Sequence, residues 1–338
     1  MNIRYLILSL TTRCNLACAY CYNGEVREFM DMSEAVLDKA LDLVEPGNDP
    51  FHLQLTGGEP TLVPTLIERA VRRARGLTRP CTIGIQTNAT RVTPDLVKLF
   101  KRFDVRVGVS LDGPPSIHQA LRGQVAQTLS GLRILENHNF PFRVTTVVSQ
   151  SNVGHLDQLV YMLAGFAQAR GIGLDLLVRK GRGGRGDTVE PADVPSLRSG
   201  VRSMLWVLKA INDRRMTPLQ LRELELLKKV SAARGQEQRF FCYACRGESA
   251  AVHPDGRLFP CGQTLVDARF AAGDVWKPDP ERLKLLSAYR LANEQCNRCP
   301  VNGRCPGECP SRLHYNQADA PALACELYRT LWREIEEQ

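Results

Sequence analysis

The stretch Tyr5–Asn23, YLILSLTTRCNLACAYCYN, decides the fold: a short apolar run ends in a polar turn carrying Cys14, Cys18 and Cys21 in the order C-x3-C-x2-C. YLILSL has the length and β-rich composition of a buried strand, and the SEAVLDKALDLV that follows repeats its apolar residues at helical spacing. The same pairing returns in FHLQLTGG with LVPTLIERAVRRA and in TIGIQTN with TPDLVKLFKRF, and VRVGVSLDG, FRVTTVVS and LDLLVRKG continue it. Six such alternations predict parallel strands joined by right-handed crossovers. Six are too few to close an eight-stranded barrel. The expected fold is therefore α/β, a partial (β/α)6 TIM-like barrel with functional residues at the carboxyl ends of its strands. A flat doubly wound sheet is the alternative.

Working outward, the 338 residues are 43% hydrophobic and 24% charged, the ordinary range for a chain with a sizeable core. No uninterrupted apolar run reaches about 18 residues, so no membrane partner is expected. The first ten residues lack a signal-peptide cleavage pattern, which predicts a cytoplasmic location. The net charge is +8 without a long basic run, and nucleic acid is not an expected partner. Twelve cysteines in such a chain point to metal ligation rather than disulfides, because the cytosol keeps thiols reduced.

The cysteines also divide the chain. Three lie in Cys14–Cys21, Cys81 stands alone as a small strand residue, and eight fall between Cys242 and Cys325. Residues 187–237, with LWVLKAI and LQLRELELLKKV, read as a helical bridge that opens on an Asp187–Pro195 linker. The expected domains are a barrel over 1–186, the bridge over 187–237 and a cysteine-rich module over 238–338.

C-x3-C-x2-C is not the usual half of a zinc site. A [4Fe–4S] cubane normally takes four thiolates, so three close cysteines leave one iron open to an amino-carboxylate ligand. With Tyr20 ahead of Cys21, the motif resembles that of the radical S-adenosylmethionine (SAM) enzymes. The resemblance implies that the open iron binds SAM and that reductive cleavage yields a 5′-deoxyadenosyl radical. It extends to Gly57-Gly58-Glu59-Pro60, where backbone carbonyls and Glu59 would receive the SAM ammonium. It also extends to Thr87-Asn88 and to Ser110 and Asp112, which match SAM-contacting positions at the next two strand ends. Arg122 is expected either to pair with the SAM carboxylate through its guanidinium fork or to be an exposed structural arginine. The GRGGRG loop at 181–186 is expected to be a flexible, solvated connector rather than a border of the nucleoside. Arg72, Arg73, Arg75, Lys180, Arg182 and Arg185 are expected to form a solvated charged face rather than a docking patch for an acidic leader.

The second group runs from Cys242 and Cys245 through HPDGRLFPC, with Asp255-Gly256 as a hairpin turn, to C-x2-C-x5-C-x3-C and Cys325. It resembles the SPASM module of peptide-modifying radical SAM enzymes. By that family's interleaved pattern, Cys242, Cys245, Cys261 and Cys309 hold one auxiliary cluster and Cys296, Cys299, Cys305 and Cys325 a second, which makes three [4Fe–4S] clusters with SAM. Two C-x2-C pairs alone would equally suit zinc. The combination implies oxidation or cross-linking of a ribosomally made peptide through a thioether, carbon–carbon or related bond, with a flavodoxin- or ferredoxin-type reductant. Because the chain opens on its first strand, a separate leader-peptide recognition protein, or docking on the barrel and SPASM surface, is expected. Formylglycine-forming sulfatase maturases of this family carry an aspartate after the third ligand of the first auxiliary cluster. Gly262 stands there after Cys261, which counts against that activity. Radical chemistry on a small molecule or tetrapyrrole is the other enzymatic reading, and a non-catalytic electron carrier or zinc protein the third. No catalytic base is assigned, and Asp112 is a weak candidate for proton transfer.

Overall fold

The structure is a computed structural model that describes all residues except 25–27, 186–188, 233–239, 292–293, 318 and 337–338. Strands β1 (Tyr5–Ser9), β2 (Phe51–Thr56), β3 (Cys81–Thr87), β4 (Val105–Ser110), β5 (Phe142–Val148) and β6 (Ala169–Leu176) pair in chain order, every pair parallel. A doubly wound sheet reverses its strand order at a switch point, and no reversal occurs among these six strands. The sheet is lengthened at both edges. A two-residue β7 (Gln220–Leu221) joins β6, while β8 (Ser249–Val252) runs parallel to β1 and hairpins into β9 (Leu258–Phe259). The order β7-β6-β5-β4-β3-β2-β1-β8-β9 leaves a partial, open barrel.

Local chemistry explains the element ends. Ser33 and Thr93 cap the helices Glu34–Asp42 and Pro94–Arg102 by accepting from the third amide onward, at 3.3 Å each, and Pro94 opens its helix with the φ that a first turn needs. In β2, Phe51, Leu53 and Leu55 are buried in the core, while His52, Gln54 and Thr56 turn to the other face. That core is continuous from Ile3 to Trp332, so the C-terminal segment shares it. Arg198 Nε on the helix Val194–Asn212 meets Glu326 Oε1 on the C-terminal helix Asp319–Glu336 at 2.6 Å.

Two expectations need correction. The stretch read as mainly helical, without convincing strands, holds the helices Val194–Asn212 and Arg222–Ala232 but also supplies the two-residue β7. The sixth strand begins at Ala169, ahead of LDLL, because Gly171 and Gly173 depress strand propensity and hide its first half. The expected boundaries after 186 and after 237 lie outside the described residues. Among the described residues, no helix is long and apolar enough to cross a membrane.

The helix Val194–Asn212 packs where a Cβ on Gly200 would collide with the Val153 carbonyl, whereas a Cβ on Gly154 would meet nothing within 4 Å. Gly200→Ala is expected to destabilise the chain by about 1–3 kcal/mol in denaturant unfolding. Gly154→Ala is expected to show no such packing loss.

Candidate active site

The first cysteine loop is held by backbone and side-chain bonds from residues beyond four strand ends. Gly58 N donates to Thr11 O and Glu59 N to Arg13 O, both at 2.8 Å, and a Cβ on Gly58 would collide with Arg13. Asn15 ties the loop to the end of β3 through Asn88 Nδ2 at 3.0 Å and Thr90 Oγ1 at 2.7 Å. Beyond β4, Leu121 O accepts from Ala19 N and Gln124 Nε2 donates to Asn15 O, both at 2.8 Å. Beyond β6, Arg182 reaches the carbonyls of Cys18 and Cys21. Cys14 is exposed, Cys18 buried and Cys21 half-buried. Burial pushes the Cys14 thiol up to about 11, with Cys18, Glu59 and Cys21 adding to the rise against the Leu16 amide.

Several of the residues expected to touch SAM have partners within the protein. The glycines of Gly57-Gly58-Glu59-Pro60 make room for the cysteine loop itself. Both oxygens of Glu59 are occupied: it accepts from Thr61 N at 3.1 Å, from Thr61 Oγ1 and Thr87 Oγ1 at 2.6 Å each, and from Asn88 N at 2.7 Å. Glu59 and Thr87 therefore lock the end of β2 to that of β3 rather than offering a free carboxylate. Asn88 faces Asn15, and Ser110 Oγ accepts from Gln86 Nε2 at 2.9 Å. Arg122 gives Nε and one Nη to Asp112, at 2.7 and 3.3 Å, and stacks on the Tyr20 ring, whose hydroxyl also donates to Asp112. Asp112 is fully buried in this pairing and also accepts from Val147 N at 3.0 Å, so it is a structural counter-ion rather than an open proton carrier. Cys81 is half-buried against Ala74 O and Arg75.

The eight later thiols fall into two sets. Burial pushes Cys261 up to about 12, and the thiols that add to this are Cys309 and Cys245. Cys242 feels Cys245, Cys309 and Cys261, and its sulfur lies 3.9 Å from that of Cys245. Burial likewise pushes Cys305 up to about 12, and there the neighbours are Cys325, Cys299 and Cys296. The sets interleave along the chain: Cys309 joins the earlier cysteines although three members of the other set precede it. Each set holds four thiols, the number that a cubane cluster normally takes. Among the described residues, no three His, Cys, Asp or Glu side chains close around a single ion.

Residues 8–160 match the radical SAM superfamily. The chain is 32% identical to the AdoMet-dependent heme synthase of Methanosarcina barkeri over 94% of this chain and 93% of that one. The chain belongs to the radical SAM superfamily. It is also 27% identical to the mycofactocin maturase MftC of Mycobacterium ulcerans, over 95% of this chain and 87% of that one. A 188-residue stretch is 37% identical to an uncharacterized protein of Methanocaldococcus jannaschii and covers 53% of this chain and 64% of that one. The fold matches native anSMEcpe with bound AdoMet at a TM-score of 0.80 and 18% identity, over 98% of this chain and 97% of that one.

Sequence reading missed the lumen of this radical SAM barrel. Ordinary barrels fill it with branched apolar layers. Here Gln54 lies over Gly84, Gln86 over Gly108 and Arg222 over Gly173, flat against the sheet. Asp175 and Arg222, paired at 2.7 Å, remain 41% and 46% accessible although the protein surrounds them, so the lumen is open. Burial works to raise Asp175, but Arg222 outweighs it and holds the carboxyl below its usual range. Tyr22 is half-buried between the two cysteine groups: burial, then Cys21, Cys261 and Asp175, push its phenol up. An aspartate at a lumen-facing position of an apolar strand was the available signal. GRGGRG, expected to be a flexible connector, is instead a turn over Gly181–Gly184 seated on the cysteine loop, with residue 186 outside the described residues.

His118 lies against the Asp112 pair, where its Nδ1 accepts from Asp112 N at 3.4 Å and its Nε2 is buried without a partner. Burial and then the Arg122 charge lower its pKa to about 4 from the ordinary 6.5, against a raising contribution from Asp112. The stability gained by holding it neutral is complete above pH 6.5 and is lost as pH falls toward 4. Denaturant midpoints should drop over that window in the wild type and drop less steeply in His118→Gln.

Proposed function

We propose that this chain cleaves SAM reductively at a cluster held by Cys14, Cys18 and Cys21 and uses the radical to oxidise or cross-link a ribosomally made peptide. The observation that carries the reading is that Cys242 and Cys261 are each acted on by Cys245 and Cys309, whereas Cys305 is acted on by Cys296, Cys299 and Cys325, in a chain whose lumen is open at Asp175 and Arg222. Three thiols in the first loop and four in each later set fit three [4Fe–4S] clusters. When bound, the clusters and SAM supply a 5′-deoxyadenosyl radical and a route for the electron lost by the substrate.

The protein's own residues have separate tasks. Asn15, Gly58 and Arg182 fix the cysteine loop. Tyr20, Asp112 and Arg122 brace it from beneath as a closed charge pair. Tyr22, Asp175 and Arg222 present polar groups to a substrate in the lumen. In this reading 1–186 is the barrel, 187–237 the bridge and 238–338 a SPASM module, and a flavodoxin- or ferredoxin-type protein supplies electrons. The mycofactocin maturase match along most of both chains supports maturation chemistry. A second reading, oxidation of a tetrapyrrole, is favoured by the 32% identity to the AdoMet-dependent heme synthase.

Replacing Cys14, Cys18 and Cys21 together by alanine should abolish 5′-deoxyadenosine formation from SAM and leave about eight irons per chain, four in each remaining cubane. Loss of all iron in that variant contradicts the three-cluster assignment. Deuterium transfer into 5′-deoxyadenosine from a labelled candidate peptide supports the first substrate reading. Transfer only from a labelled porphyrin supports the second.

A further inference from the structure

The turn after β6 grips the cysteine loop from a direction no motif announced. Arg182 N donates to Cys21 O at 3.0 Å and Arg182 Nε to Cys18 O at 2.8 Å. The Arg182 stem covers Gly24, where a Cβ would lie 2.8 Å from Arg182 Cγ. Gly181 permits the approach: its φ is +59°, and a Cβ there would lie 2.5 Å from the Cys21 carbonyl oxygen. The segment leading into the turn is held on its other side by the C-terminal part of the chain. Buried Asn316 accepts from Arg179 N at 2.9 Å and donates to Leu177 O at 2.8 Å, while Lys180 Nζ donates to Leu265 O at 2.7 Å. Arg182 is thus a fixed charge at the back of the loop rather than part of a solvated face.

We propose that Arg182 is the positioning residue of the Cys14–Cys18–Cys21 loop and that its fixed positive charge beside Cys18 raises the reduction potential of the cluster this loop holds. The inference rests on the reading that those three thiols ligate a [4Fe–4S] cluster. Reduction adds negative charge to the cluster, and a neighbouring cation favours that state, more strongly in a low-dielectric surrounding than in water. Guanidinium suits the task because it stays charged at every working pH and donates in a fixed plane. The other guanidinium that acts on Cys18, that of Arg122, is compensated by Asp112 at 2.7 Å.

The test is an anaerobic redox titration of the full reconstituted chain, followed by electron paramagnetic resonance, with the first cluster identified by its spectral change on adding SAM. Arg182→Gln keeps a donor and removes the charge. It should lower the reduced-to-oxidised ratio of that cluster about tenfold at a fixed potential, which is about 59 mV for a one-electron couple. The auxiliary signals should stay in place, and Arg182→Lys should fall between Arg182→Gln and the wild type. Gly181→Ala keeps the guanidinium but cannot seat the turn on Cys21, and it too should shift the first cluster to a more negative potential. It carries the test alone if Arg182→Gln fails to hold the cluster. A wild-type potential in the variant that carries the test, or an equal shift of every cluster, overturns the inference. A wild-type chain with no SAM-sensitive signal overturns the functional reading instead.

Discussion

The contact on which the site depends is backbone against backbone. The loop after β1 lies across Gly57 and Gly58 so closely that no side chain fits between them, and two amide–carbonyl bonds of 2.8 Å fix its register. The other attachments are arranged around that one. Glu59, next in sequence, joins the end of β2 to that of β3 through two hydrogen bonds, from Thr87 Oγ1 and Asn88 N, and Asn88 at the end of β3 returns to the loop through Asn15. A loop that must present three thiols to one cluster cannot rely on its own short segment for rigidity, and here consecutive strand ends supply it.

The charges follow the same geometry. Arg122 is nearly buried, and Asp112 takes both its bonds and the Tyr20 hydroxyl. Removing one partner of such a pair leaves an uncompensated charge, which is why burial on this scale demands near-complete pairing. Asp175 and Arg222 pair in an open lumen instead, where water or substrate reaches both. The first pair supports the loop, and the second is available to a ligand.

Much of this was legible in the sequence. Six strands, the capped helices and the hairpin at Gly256 follow from period, caps and turn residues, and they hold because each local preference agrees with the packing. The sixth strand was cut short because Gly171 and Gly173 look like loop residues until Arg143 and Arg222 are seen lying over them. The motif glycines and Glu59 stand out in the sequence, but their neighbours within the protein do not. A sequence shows that backbone must come close at Gly58 without showing that what comes close is the cysteine loop. Arg182 was hidden for a related reason: a charged residue in a glycine-rich stretch has the composition of a solvated connector, and only the fold brings it to Cys18.

The account stands on the two interleaved sets of four thiols in the C-terminal part of the chain, together with the first three. Its most direct measurement is iron and acid-labile sulfide content after anaerobic reconstitution, combined with a dithionite-driven assay for 5′-deoxyadenosine from SAM. About twelve irons and as many sulfides per chain, four for each cubane, with deoxyadenosine formed, is the predicted result. Zinc bound at the C-terminal thiols, with no cleavage of SAM, would contradict it.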